Sequence, residues 1–203
     1  VGNIWEFRPL TDMSDIAAIQ AILATSKKIT ITTHQNPDGD AIGSSLALYH
    51  YLHNLGHKVQ VITPNDYPNY LRWLPGHDHI WCFNRNKEEA KNWVAESGII
   101  FCLDFNDLRR IADLGGVVRK SNAPKILIDH HLQPTEFADF EFCEVEASST
   151  AELVFDFLVE MAGKESITKD LATCIYTGVM TDTGGFQFPS TSAKVHRMVA
   201  DLI

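Results

Sequence analysis

The sequence predicts an α/β fold of three layers, in which helices flank a mostly parallel sheet. Short apolar runs alternate along the chain with longer stretches of helical spacing, a rhythm typical of such folds. Hydrophobic residues make up 45% of the 203 positions, which is enough to build a core between the layers. Acidic and histidine residues follow several of the apolar runs, and α/β proteins place their ligands at this end of parallel strands.

Capping and turn residues delimit the elements predicted for the first half of the chain. Serine before an amphipathic stretch favours a helix start, and glycine after the last turn favours a helix end. In order, we predict a helix from Ser14 to about Ser26, a strand Ile29–Thr33, a helix from Asp40 to about Leu55, a strand Lys58–Ile62, a loop Pro64–Gly76, a strand near Ile80–Phe83 and a helix Lys87–Glu96.

The second half continues the alternation of strands and helices. The alternating apolar and acidic residues over 140–145 are typical of an edge strand. Parallel strands joined through helices require right-handed crossovers. In order, we predict a strand Ile99–Leu103, a helix from about Leu108 to Lys120 that Gly115 and Gly116 weaken, a strand Ile126–Ile128, a strand Phe140–Val145, helices Ser149–Met161 and Lys169–Met180, and a last helix from Thr191.

Composition limits the partners of the chain. The 26 acidic and 17 basic residues give a formal net charge of −9, which argues against charge-driven binding to long nucleic acid, including long double-stranded nucleic acid. A small anionic substrate stays open, because local charge matters more than the total. The four cysteines lack the paired spacing of zinc sites and favour a reducing compartment. No apolar run approaches about 18 residues, so we expect a cytoplasmic protein with no membrane partner.

The first motif places His34, Asp38 and Asp40 at a turn between a strand and a helix. A positive φ at Gly39 would let two carboxylates two residues apart converge. Ser44 falls in the predicted first helical turn, whose free N–H groups favour an anion, so we expect Ser44 to contact a substrate phosphate. Asp40 alone is better explained as a helix cap. The whole string, with three candidate ligands in so short a stretch, favours a metal site.

Three further motifs supply the remaining candidates. Asp104 ends an apolar strand, the Asp129-His130-His131 tripeptide follows another, and Asp182 stands near two glycines. Each has a simpler explanation taken alone: a first polar residue leaving the core, a solvated loop, and an acid at a helix end. The helix dipole disfavours an acid at that end, so Asp182 needs a reason to be there. Arg109 is either a substrate-phosphate contact or an exposed charge at a helix start.

Taken together, the four motifs predict a centre for two divalent cations. So many carboxylates cannot share a pocket unless cations neutralise them. Mixed imidazole and carboxylate ligands without thiolate favour Mn²⁺, with Mg²⁺, Co²⁺ and Zn²⁺ as alternatives. Two cations about 3.5–4 Å apart lower the pKa of bound water and hold phosphoryl oxygens for in-line attack. The sequence contains no P-loop and no Gly-x-Ser-x-Gly nucleophile elbow.

The motifs resemble those of the DHH phosphoesterase family, in the same order along the chain. They are His34-x-Asn-Pro-Asp-Gly-Asp-Ala-Ile-Gly-Ser44, Asp104, Asp129-His-His131 and Thr181-Asp-Thr-Gly-x-Phe186. Leu74–Gly76, Ser148–Glu152 and Phe188–Thr191 also look like the oligoribonuclease and phosphoadenosine-phosphate phosphatase branch of that family. The resemblance covers roughly residues 15–203 and implies the catalytic domain of this family.

The resemblance also implies a role for each site residue. One metal would be held by His34, Asp38 and Asp104, and the other by Asp40, Asp104, His130 and Asp182, so that Asp104 bridges. His131 would contact substrate phosphate or assist the leaving group, and Asp129 would orient the neighbouring histidines. Asp104, Asp129 and His131 are thus the expected catalytic residues. The family's nucleophile is a hydroxide held by the metals.

Members of the family normally carry a second, C-terminal domain with a glycine-rich motif ending in histidine, which closes over the substrate. The resemblance therefore divides the chain into a catalytic domain over 1–188 and, over 189–203, the start of a connector helix to a domain that this chain lacks.

These expectations combine into a metal-dependent phosphohydrolase or phosphodiesterase. Its substrates would be short oligonucleotides, linear dinucleotides or 3′-phosphoadenosine 5′-phosphate. One alternative is an inorganic pyrophosphatase or exopolyphosphatase, whose relatives share the Asn-Pro-Asp-x-Asp turn. A second is a non-catalytic, metal-binding regulatory module. The expected partner is a short nucleotide or phosphate ester, and a homodimer stays open.

Overall fold

A parallel sheet forms the middle layer of the structure, a computed structural model that describes residues 13–25 and 27–203. Within these residues the sheet has six strands in the order β3-β2-β1-β4-β5-β6, and each neighbouring pair is parallel. The strands are β1 (Lys28–Thr33), β2 (Lys58–Thr63), β3 (Ile80–Cys82), β4 (Ile99–Leu103), β5 (Lys125–Asp129) and β6 (Phe140–Cys143). The predicted α/β class and the edge position of the last strand are confirmed.

Helices cover both faces of the sheet, which confirms the three layers. They are α1 (Met13–Leu23), α2 (Gly39–Asn54), α3 (Lys87–Ala95), α4 (Asp113–Lys120), α5 (Thr150–Ala162), α6 (Lys169–Asp182) and α7 (Ala193–Leu202). Successive strand residues point to opposite faces. Ile31 therefore belongs to the core that includes residues of α1, α2, α5, α6 and α7, whereas Ile100 and Cys102 belong to the core that includes residues of α3 and α4.

One predicted helix is wrong in its continuity. The stretch from Leu108 to Lys120 divides into a 3₁₀ turn over Leu108–Ile111 and helix α4, because Ala112 takes a φ of +49° and a ψ of −134°. Gly115 does not interrupt α4. A Cβ at Gly115 would lie 2.2 Å from the Leu108 carbonyl oxygen, so glycine lets α4 fold back against the 3₁₀ turn.

The two ends of the described chain also differ slightly from prediction. Helix α1 begins at Met13, one residue before the predicted start, and ends at Leu23; its predicted end, Ser26, lies outside the described residues. Helix α7 begins two residues after Thr191, where the Ser192 side chain accepts a hydrogen bond from the Val195 N–H. Among the residues described, no helix combines the length and apolar character needed to span a membrane.

The strand order reverses between β1 and β4. The chain leaves β1 for α2 on one face of the sheet, whereas it leaves β4 for α4 on the other face. Connections that diverge in this way open a crevice at the carboxyl ends of the two strands, and open α/β sheets bind ligands there. His34 directly follows β1 and Asp104 directly follows β4, so the topology brings them to this crevice.

Candidate metal centre

The crevice gathers all six predicted metal ligands into overlapping groups. In each group the ligand atoms lie within 4.8 Å of one another, and carboxylate and imidazole are the only donors. Asp104 belongs to two of the groups. The groups are His34, Asp38 and Asp104; Asp40, His130 and Asp182; and Asp104, His130 and His131.

His34 is buried and faces two carboxylates. Its Nδ1 lies 2.8 Å from the Gln35 carbonyl oxygen, so Nδ1 carries the proton and donates to this oxygen. The Nε2 lone pair is then free to bind a cation. Nε2 lies 3.3 Å from Oδ2 of Asp104 and 3.8 Å from Oδ2 of Asp38.

Asp38 caps helix α2, whereas the sequence alone favoured Asp40 as the cap. The predicted positive φ at Gly39 is also absent. Oδ1 of Asp38 accepts hydrogen bonds from the N–H groups of Asp40 and Ala41, so the helix start is already capped by a carboxylate. Gly39 lies inside α2 without a positive φ, and the left-handed residue of this turn is Asn36, with a φ of 56°. A Cβ at Gly39 would lie 2.3 Å from Oγ1 of Thr181, so the glycine permits close approach between helices instead.

Neither predicted substrate contact outside the tripeptide reaches the metal groups. Ser44 is fully buried, and its hydroxyl donates to the Asp40 carbonyl oxygen at 2.7 Å, so it stabilises the helix and is closed to a substrate. The Arg109 side chain is 85% exposed and donates from Nε to Asp107 at 2.8 Å. The hydrogen bond to Asp129 raises the pKa of His131, and the charge of Arg110, not that of Arg109, opposes this rise.

Asp40 is buried and held by the start of helix α5. Its two carboxylate oxygens accept hydrogen bonds from the Thr150 and Ala151 N–H groups at 2.7 and 2.8 Å. Burial, followed by repulsion from Asp104 and Asp182, nevertheless raises the pKa of Asp40 well above its usual value. A divalent cation removes this penalty, because it compensates the charge of all three carboxylates.

Asp104 lies between the two main groups and has an unusual backbone. Its φ is +64°, in the left-handed region that costs a non-glycine residue on the order of 1 kcal/mol or more. Oδ2 faces His34, whereas Oδ1 lies 3.7 Å from Nε2 of His130 and accepts a hydrogen bond from the Thr150 hydroxyl at 3.0 Å. Burial and the charge of Asp38 raise the pKa of Asp104 well above its usual value. The carboxylate thus presents one oxygen to each group.

His130 and Asp182 complete the second group. Nδ1 of His130 lies 3.4 Å from the Ala147 carbonyl oxygen, which directs Nε2 towards Oδ2 of Asp182 at 3.4 Å and Oδ2 of Asp40 at 3.9 Å. Asp182 is the last residue of α6, and burial raises its pKa. The dipole of α6 opposes an anion at this end, and a bound cation would remove that opposition.

Asp129 and His131 form a tight pair at the rim of the site. Asp129 has no exposed surface; its Oδ1 accepts a hydrogen bond from Nδ1 of His131 at 2.7 Å, and its Oδ2 accepts one from the His131 N–H at 3.2 Å. The hydrogen bond to Asp129 raises the pKa of His131, which favours the imidazolium. Asp129 therefore orients His131, whereas His130 takes its orientation from Ala147.

Sequence reasoning missed the segment 147–151 as part of the site. Ala147, Thr150 and Ala151 contact three of the candidate ligands: His130, Asp40 and Asp104. The Ser149-x-x-Glu152 spacing before an apolar stretch is the signal of a capped helix start. That signal identifies where a helix begins but carries no information on which side chains the freed N–H groups meet.

Comparison with known proteins places these observations in a family. The model of the "DHH family, N-terminal domain" matches residues 28–179. The chain is 32% identical over its full length to "Bifunctional oligoribonuclease and PAP phosphatase NrnA" of Thermus thermophilus, and it covers 57% of that protein. Identity to the Bacillus subtilis protein of the same name is 28%, over 86% of this chain and 52% of that protein.

Solved structures agree with the fold. An exopolyphosphatase-related protein from Bacteroides fragilis superposes with a TM-score of 0.92 at 42% identity, covering 94% of this chain and 56% of that one. Exonuclease RecJ bound to manganese superposes with a TM-score of 0.59 at 16% identity, over 99% of this chain and 49% of that one, which shows the shared fold alone. The chain spans about half the length of the curated relatives it matches. It belongs to the DHH family, whose N-terminal domain it contains.

Proposed function

We propose that this chain is the catalytic domain of a divalent-metal-dependent phosphohydrolase. Its substrates would be short oligonucleotides, linear dinucleotides or 3′-phosphoadenosine 5′-phosphate. The observation that carries the proposal is that Asp104 lies between two carboxylate–imidazole groups, with one oxygen facing His34 and the other facing His130. The names of the relatives, oligoribonuclease and PAP phosphatase, supply the substrate class.

The residues present fit two divalent cations. His34 and His130 each bind a carbonyl oxygen through Nδ1 and keep Nε2 for a metal, the arrangement expected of metal-ligating histidines. One cation would be held by His34, Asp38 and Asp104, and the other by Asp40, Asp104, His130 and Asp182. The absence of thiolate from this donor set favours Mn²⁺, with Mg²⁺, Co²⁺ and Zn²⁺ as alternatives. Cations here would act as Lewis acids on a phosphoryl group and supply a nucleophile at neutral pH.

His131 would serve the leaving group. Its Nδ1 proton is held by Asp129, so the proton on Nε2 is the one available to a substrate. As the oxygen of a hydroxide bonds to phosphorus, the ester P–O bond would break and the departing oxygen would take this proton, which leaves His131 neutral. The side chain of His131 is 34% exposed, which leaves it open to a bound phosphate ester.

Substrate selection would involve a part of the protein outside residues 1–203. We propose that residues 1–188 form the catalytic domain and that 189–203, which include the whole of α7, begin the connection to a second domain. The support is length, since the chain covers 52–57% of its NrnA relatives. A second domain closing over the crevice would exclude water and hold the base of a short nucleotide.

A pyrophosphatase or exopolyphosphatase is the second candidate function. The support is the Bacteroides fragilis structure, whose title reads exopolyphosphatase-related and which is 42% identical to this chain. The same metal groups would serve either reaction, because both transfer a phosphoryl group to water. The two candidates differ in the leaving group, an alcohol oxygen in one and a phosphate in the other, so only substrate comparison separates them.

The test compares substrates in the complete protein that carries this chain, with Mn²⁺. We expect mononucleotide release from 5′-phosphorylated diadenylate or phosphate release from 3′-phosphoadenosine 5′-phosphate, and abolition of both by Asp104→Asn. Asp107→Asn is the matched control, because Asp107 caps a 3₁₀ turn outside the metal groups and asparagine can also cap. Cleavage of pyrophosphate alone would select the second candidate. Mn²⁺ binding without turnover of any substrate would indicate a regulatory module.

A further inference from the structure

The segment 147–151 is a shared support for the two metal groups. The carbonyl of Ala147 orients His130, and the first N–H groups of α5 hold Asp40. The Thr150 hydroxyl holds Asp104, the residue that lies between the two groups. A displacement of this segment by a fraction of an ångström would therefore move ligands of both cations at once.

Glu152 fixes this segment from within helix α5. One carboxylate oxygen, Oε2, accepts hydrogen bonds from the N–H and the hydroxyl of Ser148 at 2.7 and 2.8 Å. The Glu152 N–H donates to the Ser149 hydroxyl at 3.1 Å, so the helix start and the residues before it are tied together. The Glu152 side chain is only 4% exposed, and its charge needs a partner.

The partner of Glu152 comes from a different helix. Nζ of Lys194, in the first turn of α7, lies 3.0 Å from Oε1 of Glu152 and also donates to Asp156 of α5. Both carboxylates are buried, whereas half of the Lys194 side chain is exposed. Loss of the lysine would leave two buried carboxylates without this cation, an unfavourable state that the side chains would relieve by moving or by taking up protons. Either response loosens the hold of Glu152 on Ser148.

We propose that Lys194 and Glu152 are positioning residues that couple the seating of helix α7 to the geometry of the metal ligands. The connection runs from Lys194 through Glu152 and Ser148 to the start of α5, and from there to His130, Asp40 and Asp104. This proposal rests on the metal centre of the proposed function. It adds two residues that influence the metal ligands, one of them on helix α7, which contributes no ligand. A domain attached beyond α7 would act on the metals through this lysine.

The experiment measures Mn²⁺ affinity by calorimetry and the unfolding temperature of the metal-free protein, both in the complete protein. Lys194→Met should weaken Mn²⁺ binding by about tenfold, the lower end of the range for residues that support metal ligands. Lys194→Arg keeps a cation for both carboxylates and should restore most of the affinity. Lys164→Met is the matched control, because Lys164 pairs with Asp201 of α7 at the exposed surface and touches none of the segment.

Each outcome separates this inference from the function it rests on. Absence of Mn²⁺ binding by the wild-type protein would remove the metal centre itself and the coupling with it. Mn²⁺ binding by Lys194→Met at wild-type affinity would overturn the coupling alone, even if its metal-free form unfolds at a lower temperature. Should Lys194→Met fail to fold, Glu152→Leu removes both the acceptor that holds Ser148 and the charge that Lys194 pairs with, while Asp156 still partners the lysine. Wild-type affinity in that variant would equally overturn the coupling.

Discussion

At the scale of single residues, the site depends on side chains whose orientation is fixed by a second contact. Asp104 has an unfavourable left-handed backbone conformation and accepts a hydrogen bond from the Thr150 hydroxyl. Each of its carboxylate oxygens faces a different metal group. His34 and His130 each use one ring nitrogen on a backbone carbonyl and leave the other for a cation. Such contacts fix ligand geometry before a metal arrives.

Thr150 provides the sharpest test of this principle, because its hydroxyl can be removed without changing the shape of the side chain. Thr150→Val takes away the donor to Asp104 but keeps both N–H contacts of α5 with Asp40. We expect Mn²⁺ affinity to fall roughly tenfold, as is typical for loss of a contact to a ligand. Thr150→Ser, which keeps the hydroxyl, should bind nearly as the wild type does. Equal affinity in all three proteins, measured by calorimetry, would show that Thr150 does not orient Asp104.

At the scale of elements, the close crossing of α2 and α6 brings the second group together. A Cβ at Gly43 would lie 2.6 Å from the Cys174 carbonyl oxygen and 2.9 Å from the Gly178 nitrogen, both in α6. A Cβ at Gly178 would lie 3.0 Å from Oδ1 of Asp40. Glycine on both helices therefore allows the start of α2 and the end of α6 to place Asp40 and Asp182 in one group.

Gly43→Ala should separate these helices. The added methyl group meets backbone atoms of α6, which cannot rotate away, so we expect a loss of about 1–3 kcal/mol in the free energy of unfolding. Mn²⁺ binding should weaken as well, because Asp40 moves away from Asp182. The control is Gly116→Ala in α4, where nothing lies within 4 Å of the added Cβ and a gain of about 0.5–1 kcal/mol is expected. Chemical denaturation of both variants without metal would contradict the argument if the two changes had the same sign.

At the scale of the whole molecule, the fold buries several acidic side chains close together at the carboxyl ends of the strands. Burial, followed by repulsion from neighbouring carboxylates, raises the pKa values of Asp40, Asp104 and Asp182 above the usual 3.8. Burial also raises the pKa of Asp156 to about 6 despite Lys194 beside it. The folded chain without metal therefore holds protons that the unfolded chain releases near pH 4.

The raised pKa values of these carboxyl groups predict how the stability of the metal-free protein depends on pH. Because the folded-state pKa values are raised, the unfolded chain binds fewer protons, and the free energy of unfolding of the metal-free protein should fall as pH rises from about 4 towards 7. Asp156 alone would contribute roughly 3 kcal/mol of this loss over the pH interval between its ordinary pKa of 3.8 and its raised pKa of about 6.

Mn²⁺ should oppose this loss, since it binds the ionised ligands of the folded form. At a hundred times its dissociation constant it should add about 2.7 kcal/mol at neutral pH. The measurement is urea denaturation across this pH range, with Mn²⁺ and with a chelator. Stability that rises with pH in the chelated protein would contradict the assignment of raised pKa values.

The sequence determined the architecture and the chemistry of this chain to a large extent. Apolar runs separated by helical stretches are enough to predict a parallel α/β sheet. Each run has the length of a strand, and its apolar side chains are buried when helices cover both faces of the sheet. The positions of His34, Asp38, Asp104 and the 129–131 tripeptide after strands follow from the same pattern, since the ends of parallel strands meet at one edge. A candidate metal centre with these residues could therefore be predicted before any coordinates.

What only the tertiary structure decided are contacts between residues far apart along the chain. No local pattern shows that Gly43 faces α6, that Thr150 reaches Asp104, or that Lys194 reaches Glu152. The misplaced roles of Ser44 and Gly39 have the same cause, because local geometry alone does not say which face of a helix is buried against another. Residue types and their spacing show which polar side chains follow each strand. The packing of α2, α5, α6 and α7 on the sheet decides which of these groups meet, through shape and close approach that distant parts of the chain define together.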